Sequence, residues 1–167
     1  MRFLIWLLLL PAFALSALVA EAAEFRKMDS VTPPRLVLKD GKGVSHNLAV
    51  YKGKVVLVNF WATWCPPCRE EMPSMQRLKE KMAGRPFVML GVDSVESPAD
   101  LAGFLEQIKV DFTIVFDPDG AATRRWKVFG LPSSFLVDKQ GKVRYVLTGP
   151  TEWDGNEAMA LIEDLLR

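Results

Sequence analysis

The chain has 167 residues, 50% of them hydrophobic, which is enough for one domain with a full core. Its 21 basic and 20 acidic side chains nearly cancel, and no basic stripe runs along it, so the electrostatic footprint of a nucleic-acid binder is missing. It has no internal repeat and no low-complexity tract.

The N-terminus reads as a targeting segment rather than as part of the fold. Met1-Arg2 supplies one positive charge, Phe3 to Ala20 is an uncharged run interrupted by Pro11, and Ala20-Glu21-Ala22 puts small residues where a signal peptidase reads them. A run of that length also nearly spans a bilayer, so residues 1–22 are read as a cleaved signal peptide or as a membrane anchor through residues 3–20. Either way the domain works outside the cytoplasm, and without a cysteine near the cleavage site a lipoprotein anchor is excluded. Residues 23–34 are polar, end in Pro33-Pro34 and read as a linker. The folded domain is expected over residues 35–167.

Arg35 to Leu38 and Val44 to Val50 flank a Lys-Asp-Gly-Lys-Gly turn and predict a hairpin. Val55 to Phe60 is a near-continuous apolar run, the signature of a central strand covered on both faces. From Cys65 onward Met72, Met75, Leu78 and Met82 recur at spacings of three and four, the buried stripe of a helix that Pro73 should kink or interrupt. Phe87 to Val92 is a second strand. Ser97-Pro98 then starts a helix with Leu101, Phe104, Leu105 and Ile108 inward. Phe112 to Phe116 is a short apolar segment, Ala121 to Val128 a short helix carrying Trp126, and Phe135–Val137 with Val143–Leu147 a hairpin. A helix from Gly155 to Leu166 closes the chain. The order predicts an α/β domain whose first central strands are parallel and whose last pair is antiparallel.

The chain's two cysteines, Cys65 and Cys68, stand in Trp-Cys-Pro-Pro-Cys at the strand-to-helix turn. Two thiols so spaced form a reversible dithiol/disulfide couple. A merely structural disulfide across so short a loop stabilises little on the loop-entropy model, and a closed zinc site lacks its second ligand pair. At the helix start, free N–H groups and the dipole favour a Cys65 thiolate, the attacking species. Cys68, one turn on, is placed to resolve a Cys65 mixed disulfide. Pro66 and Pro67 suit a first helical turn and stiffen the loop between the sulfurs.

Asn59-Phe60-Trp61-Ala62-Thr63 followed by Trp64-Cys65-Pro66-Pro67-Cys68, with Gly130-Leu131-Pro132-Ser133 later in the chain, resembles the thioredoxin superfamily. More narrowly, it resembles the exported thiol–disulfide reductases of the TlpA/ResA type, which include cytochrome c maturation reductants. The resemblance runs from about Arg35 to the C-terminus and implies a thioredoxin-like mixed sheet flanked by helices, with an added N-terminal hairpin. It also implies a cis Leu131–Pro132 peptide packed on the disulfide, with the Leu131 backbone free to pair with a substrate strand. Thioredoxins proper carry a buried Asp where this chain has Asn59, which cannot take a proton. In the TlpA/ResA group a Glu near the site falls at Glu71. By itself Glu71 reads as a solvated helix residue beside Arg69-Glu70; the resemblance implies a partly buried carboxyl with a raised pKa that handles protons. Trp64 is expected to dock substrate together with Pro66, Pro67, Leu131 and Pro132; Trp61 is as easily packing, and Trp153 reads as structural. His46, the one histidine, is expected on the surface.

The leading function is an exported reductant of client disulfides. The resemblance implies apocytochrome c or copper-site proteins as clients and a membrane thiol carrier as electron donor. No cofactor and no metal is expected, and no strand is followed by a nicotinamide or flavin fingerprint. An oxidant on the same fold differs only in potential. A copper-delivery module usually needs a further ligand such as His, and a peroxidase has its nucleophilic cysteine after a Thr/Pro segment.

Overall fold

A computed structural model describes residues 23–96, 101, 103, 104 and 107–167. The leader reading of residues 1–22 and the Ser97-Pro98 helix start lie outside the described residues, as does Leu105. Leu101, Phe104 and Ile108 are helical, with Leu101 buried.

The strand that leads into the cysteines sits inside the sheet. Strand β4 (Val55–Trp61) is buried along its whole length. It pairs in parallel with β5 (Phe87–Ser94) and antiparallel with β7 (Ser133–Val137). Strand β6 (Thr113–Asp117) continues the parallel side, and β8 (Val143–Thr148) closes the predicted antiparallel hairpin with β7. The early hairpin, β2 (Val37–Asp40) and β3 (Ser45–Asn47), adds to the β6 edge. With β1 (Arg26–Val31), the order is β1-β8-β7-β4-β5-β6-β2-β3.

Alternation along β4 divides the core. Val55, Leu57 and Trp61 face α1 (Pro66–Lys81) and α3 (Asn156–Leu166), meeting Met72, Met75, Leu78 and Ile162. Val56, Val58 and Phe60 face the other way, toward Leu36, Leu48 and Trp126, which follows α2 (Ala121–Arg125). Asn59 keeps the first phase, so its side chain points to α1. Helix α1 runs unbroken through Pro73, which is exposed; there the expectation of an interruption is not met. Gly91 on β5 has a steric reason: a Cβ there would stand 3.0 Å from the Phe112 ring and 3.1 Å from Trp61 Nε1.

Two readings need correction. The linker expected over residues 23–34 contains β1, antiparallel to β8 with a bulge between Lys27 and Val31 where Ser30 takes a positive φ. Its side chains are almost all solvent-facing, so no alternation marks it. The open β8 edge recruits it through backbone hydrogen bonds. His46 is not a free surface residue. It is held in the hairpin between Asp40 Oδ2 at 3.0 Å and the Tyr51 hydroxyl at 2.8 Å, and this hydrogen bond leads the effects that lower the Asp40 pKa.

Candidate active site

The turn after β4 is built to present one sulfur. Cys65 is the N-cap of α1, with extended backbone, and Pro66 and Pro67 take the first helical positions. Its Sγ accepts the Cys68 N–H at 3.3 Å, so a helix-terminal donor is aimed at this sulfur and favours negative charge on it. The two cysteines are joined as a disulfide, with Cα atoms 5.4 Å apart. Upstream, the Glu96 carboxylate ties the turn down by accepting the Thr63 N–H at 2.6 Å and the Thr63 hydroxyl. Nothing local in the sequence pointed to Glu96, which lies 33 residues away.

Behind the sulfurs lies a buried polar cluster. Glu71 is one turn beyond Cys68 on the buried stripe of α1 and is only 2% exposed. Asn59 Nδ2 donates to Glu71 Oε1 at 2.8 Å and to Ser134 Oγ at 2.9 Å. Trp153 Nε1 donates to Glu71 Oε2 at 3.1 Å, and the Thr151 N–H reaches the same oxygen at 3.3 Å. Burial pushes the Glu71 carboxyl from its ordinary 4.5 up to about 7, against the opposing pull of these three donors. The Trp153 loop is fastened to α1. Ser74 Oγ accepts the Trp153 N–H at 3.0 Å, and Arg77 grips Asp154 with two bonds of 2.9 Å and Glu152 with one of 3.1 Å.

In front of the sulfurs is an apolar cleft of about 510 Å³. Cys65 lies at its wall with Trp64, Pro66, Pro67 and Leu131, whereas Cys68 does not line it. The rim is exposed: Trp64 to 65%, Val95 to 63% and Phe129 to 95%. The Leu131–Pro132 peptide is cis, as the resemblance implied, and Pro132 is buried. Cys65 itself is only 3% exposed, so a partner reaches it through the cleft rather than across open surface.

A model of the AhpC/TSA family matches residues 31–146. The chain belongs to that family. It is 39% identical to the thiol-disulfide oxidoreductase ResA of Geobacillus kaustophilus over 118 residues, 71% of this chain and 68% of the relative. The Bacillus subtilis ResA is 35% identical over 116 residues, 70% of this chain and 65% of that one. Among solved structures, a thiol:disulfide interchange protein DsbE of Chlorobium tepidum superposes with a TM-score of 0.77 at 32% identity, covering 85% of this chain and 99% of that chain. The chain is a thiol–disulfide oxidoreductase of the ResA/DsbE type, with the thioredoxin-like fold its sequence resembles.

The structure therefore places Glu71 one turn from the joined Cys65 and Cys68 and lines the cleft with Trp64, Pro66, Pro67 and Leu131, while Pro132 is buried and does not line it. Trp61 is buried, 5.7 Å from the Phe104 ring, and packs rather than docks. Sequence reasoning missed Trp153 as a donor to Glu71, along with Val95 and Phe129 on the rim. One available signal went unread for Glu71. It stands three residues after Cys68, four before Met75 and seven before Leu78, on the very face those residues bury.

Proposed function

We propose that this protein is an exported reductant that keeps cysteines of extracytoplasmic client proteins reduced. Residues 3–20 carry the export signal, either cleaved or retained as an anchor. Haem-binding cysteines of apocytochrome c or copper-site cysteines are the clients, and a membrane thiol carrier restores the dithiol. The observation that carries the reading is Glu71, buried one turn from Cys68 with a carboxyl that titrates at about 7.

In the reduced protein Cys65, as thiolate, attacks one sulfur of the client disulfide. A Cys65–client bond forms, the client S–S bond breaks, and the departing thiolate takes a proton. Cys68 then loses its proton to the Glu71 carboxylate and attacks Cys65 Sγ. The Cys65–Cys68 disulfide forms and the second client sulfur leaves as thiolate. Two electrons have moved from the dithiol to the client. A carboxyl that titrates near neutrality is matched to this transfer, because it is ionised often enough to accept the proton and weak enough to release it again. Asn59 and Trp153 hold both carboxylate oxygens, so the base is oriented before the proton arrives. Leu131, beside the cis-proline, offers its backbone to an extended client strand.

The test is the reduction potential of the Cys65/Cys68 couple, by equilibration against dithiol buffers and alkylation mass shift. A reductant lies near or below about −270 mV; a value near about −120 mV overturns the reading in favour of a disulfide-forming oxidant.

A further inference from the structure

Beside the dithiol cleft lies a second cavity that the chemistry above does not use. It has a volume of about 520 Å³ and runs between β1 and the face of β7 and β8, bounded by the segment that follows α2. Its walls are apolar, among them Met28, Trp126, Phe135 and Val146, and Arg26, Arg125 and Lys127 line it with no acidic side chain among them. All three cations are exposed, and among the described residues none has a carboxylate partner; Arg125 reaches only the Arg35 carbonyl, at 3.3 Å. Elsewhere Arg77, Arg85, Arg144 and Arg167 each meet an Asp or Glu, whereas Arg124 reaches a backbone carbonyl and Arg69 the Phe104 ring, so the groove is set apart by three such cations gathering on one apolar wall. In a chain with a formal net charge of +1, three unpaired cations around one apolar groove are a local concentration of charge.

The groove adjoins the redox cleft. Phe129 and Gly130 line both, and Phe129 stands 95% exposed on the ridge between them. An apolar ring so placed, with apolar hollows on either side, is covered when a chain crosses from one hollow to the other. Leu131 lies next to that ridge in sequence and lines the same cleft as Cys65.

We propose that this groove is a second client subsite, which takes an extended client segment flanking the attacked cysteine and carrying both apolar and acidic side chains. The inference rests on the thiol–disulfide oxidoreductase reading. Apolar side chains fill the hollow against Phe135 and Val146, and carboxylates meet Arg26, Arg125 and Lys127. Specificity for the client thus lies beyond the sulfurs, where it leaves their chemistry untouched.

The test uses the reduced full chain and synthetic peptides whose single cysteine is activated as a thiopyridyl disulfide. One set carries an Asp/Leu flank on the N-terminal or the C-terminal side, a second replaces Asp by Lys, and neutral dithiodipyridine serves as the small disulfide. The Asp/Leu peptide in the productive orientation should react about tenfold faster than its Lys counterpart, a gap that added salt closes. In the double variant Arg125→Glu, Lys127→Glu the preference should vanish or reverse, while the rate with dithiodipyridine stays within about twofold of the parent. Equal rates for all peptides overturn the proposal, as does loss of the dithiodipyridine rate in step with the peptide rates. So does a finding that the charge reversal abolishes self-association, or retention on phosphatidylglycerol vesicles, while leaving peptide preference intact. Failure of the parent protein to reduce dithiodipyridine at all would instead strike the oxidoreductase reading itself.

Discussion

The ground behind the Cys65–Cys68 disulfide and the cleft in front of it are made of opposite materials. Behind, Glu71 is buried and each carboxylate oxygen receives a donor, from Asn59 on one side and from Trp153 and Thr151 on the other. In front, Trp64, Val95 and Phe129 expose apolar surface with little of themselves packed against the protein. A buried polar cluster has few alternative arrangements, because each displaced hydrogen bond costs a desolvated group its partner. An exposed apolar rim has no such constraint and is free to adapt to a client. On the proposed function, proton chemistry belongs to the rear and recognition to the front, with the two sulfurs as the boundary.

The largest test of that division is at the boundary. Cys68→Ser should abolish turnover while Cys65 still attacks, so a Cys65–client adduct accumulates and is read as a mass increase under non-reducing conditions. No accumulation would mean that Cys65 is not the sulfur reached through the cleft.

The rear is tested next through Glu71, whose folded-state pKa is raised. Between about pH 4.5 and about pH 7 the folded protein holds a proton on Glu71 that the unfolded chain has released, so stability falls as pH rises through that window. With the carboxyl moved from 4.5 up to about 7, the loss amounts to about 3 kcal/mol by about pH 8. Below about pH 4.5 both states are protonated and nothing is lost. In Glu71→Gln this fall should disappear, as followed by urea denaturation of the oxidised protein across the window. An unchanged pH profile would show that Glu71 titrates as an ordinary surface carboxyl.

Trp64→Ala should act only at the front. The expected effect is a drop of about tenfold in the rate with protein disulfides, about 1.4 kcal/mol, with the reduction potential and the pH profile of stability unmoved. A shift in potential would place Trp64 with the rear machinery and blur the division.

The smallest expected effect is at Arg77, which clamps the Trp153 loop from the surface. The Arg77–Glu152 and Arg77–Asp154 pairs are half exposed on the arginine side, so Arg77→Ala should lower global stability only slightly. Its more telling readout is the midpoint of the Glu71 titration, which should rise as the Thr151 and Trp153 donors loosen. A midpoint that stays put would show that Ser74 and Lys81 hold the loop without Arg77.

How far these regions were legible differs along the same line. The boundary and part of the front announce themselves locally: Trp-Cys-Pro-Pro-Cys after an apolar run, and Gly-Leu-Pro-Ser further on, whose cis peptide the resemblance implied and the structure contains, whereas Val95 and Phe129 join the rim only through the fold. The hairpins at residues 37–47 and 133–148 were likewise readable, because turn residues and apolar runs sit within a few positions of one another. Strand β1 was not, since an edge strand of exposed side chains carries no period and forms only because β8 offers it a partner. His46 looked solitary because its partners depend on the hairpin register and on the turn that brings Tyr51 back.

By itself the sequence determined what short-range spacing controls: Cys65 at a helix start, Cys68 one turn behind, Asn59 on the same strand face as Val55, Leu57 and Trp61, and Glu71 on the stripe of Met75 and Leu78. Only the tertiary structure decided what Glu71 is. Its hydrogen-bond donors come from 12, 80 and 82 residues away, and its burial is the joint work of β4, α1 and the loop before α3. A carboxyl's pKa follows from the water removed around it and the dipoles turned toward it, and both are set by the packing of elements distant in the chain.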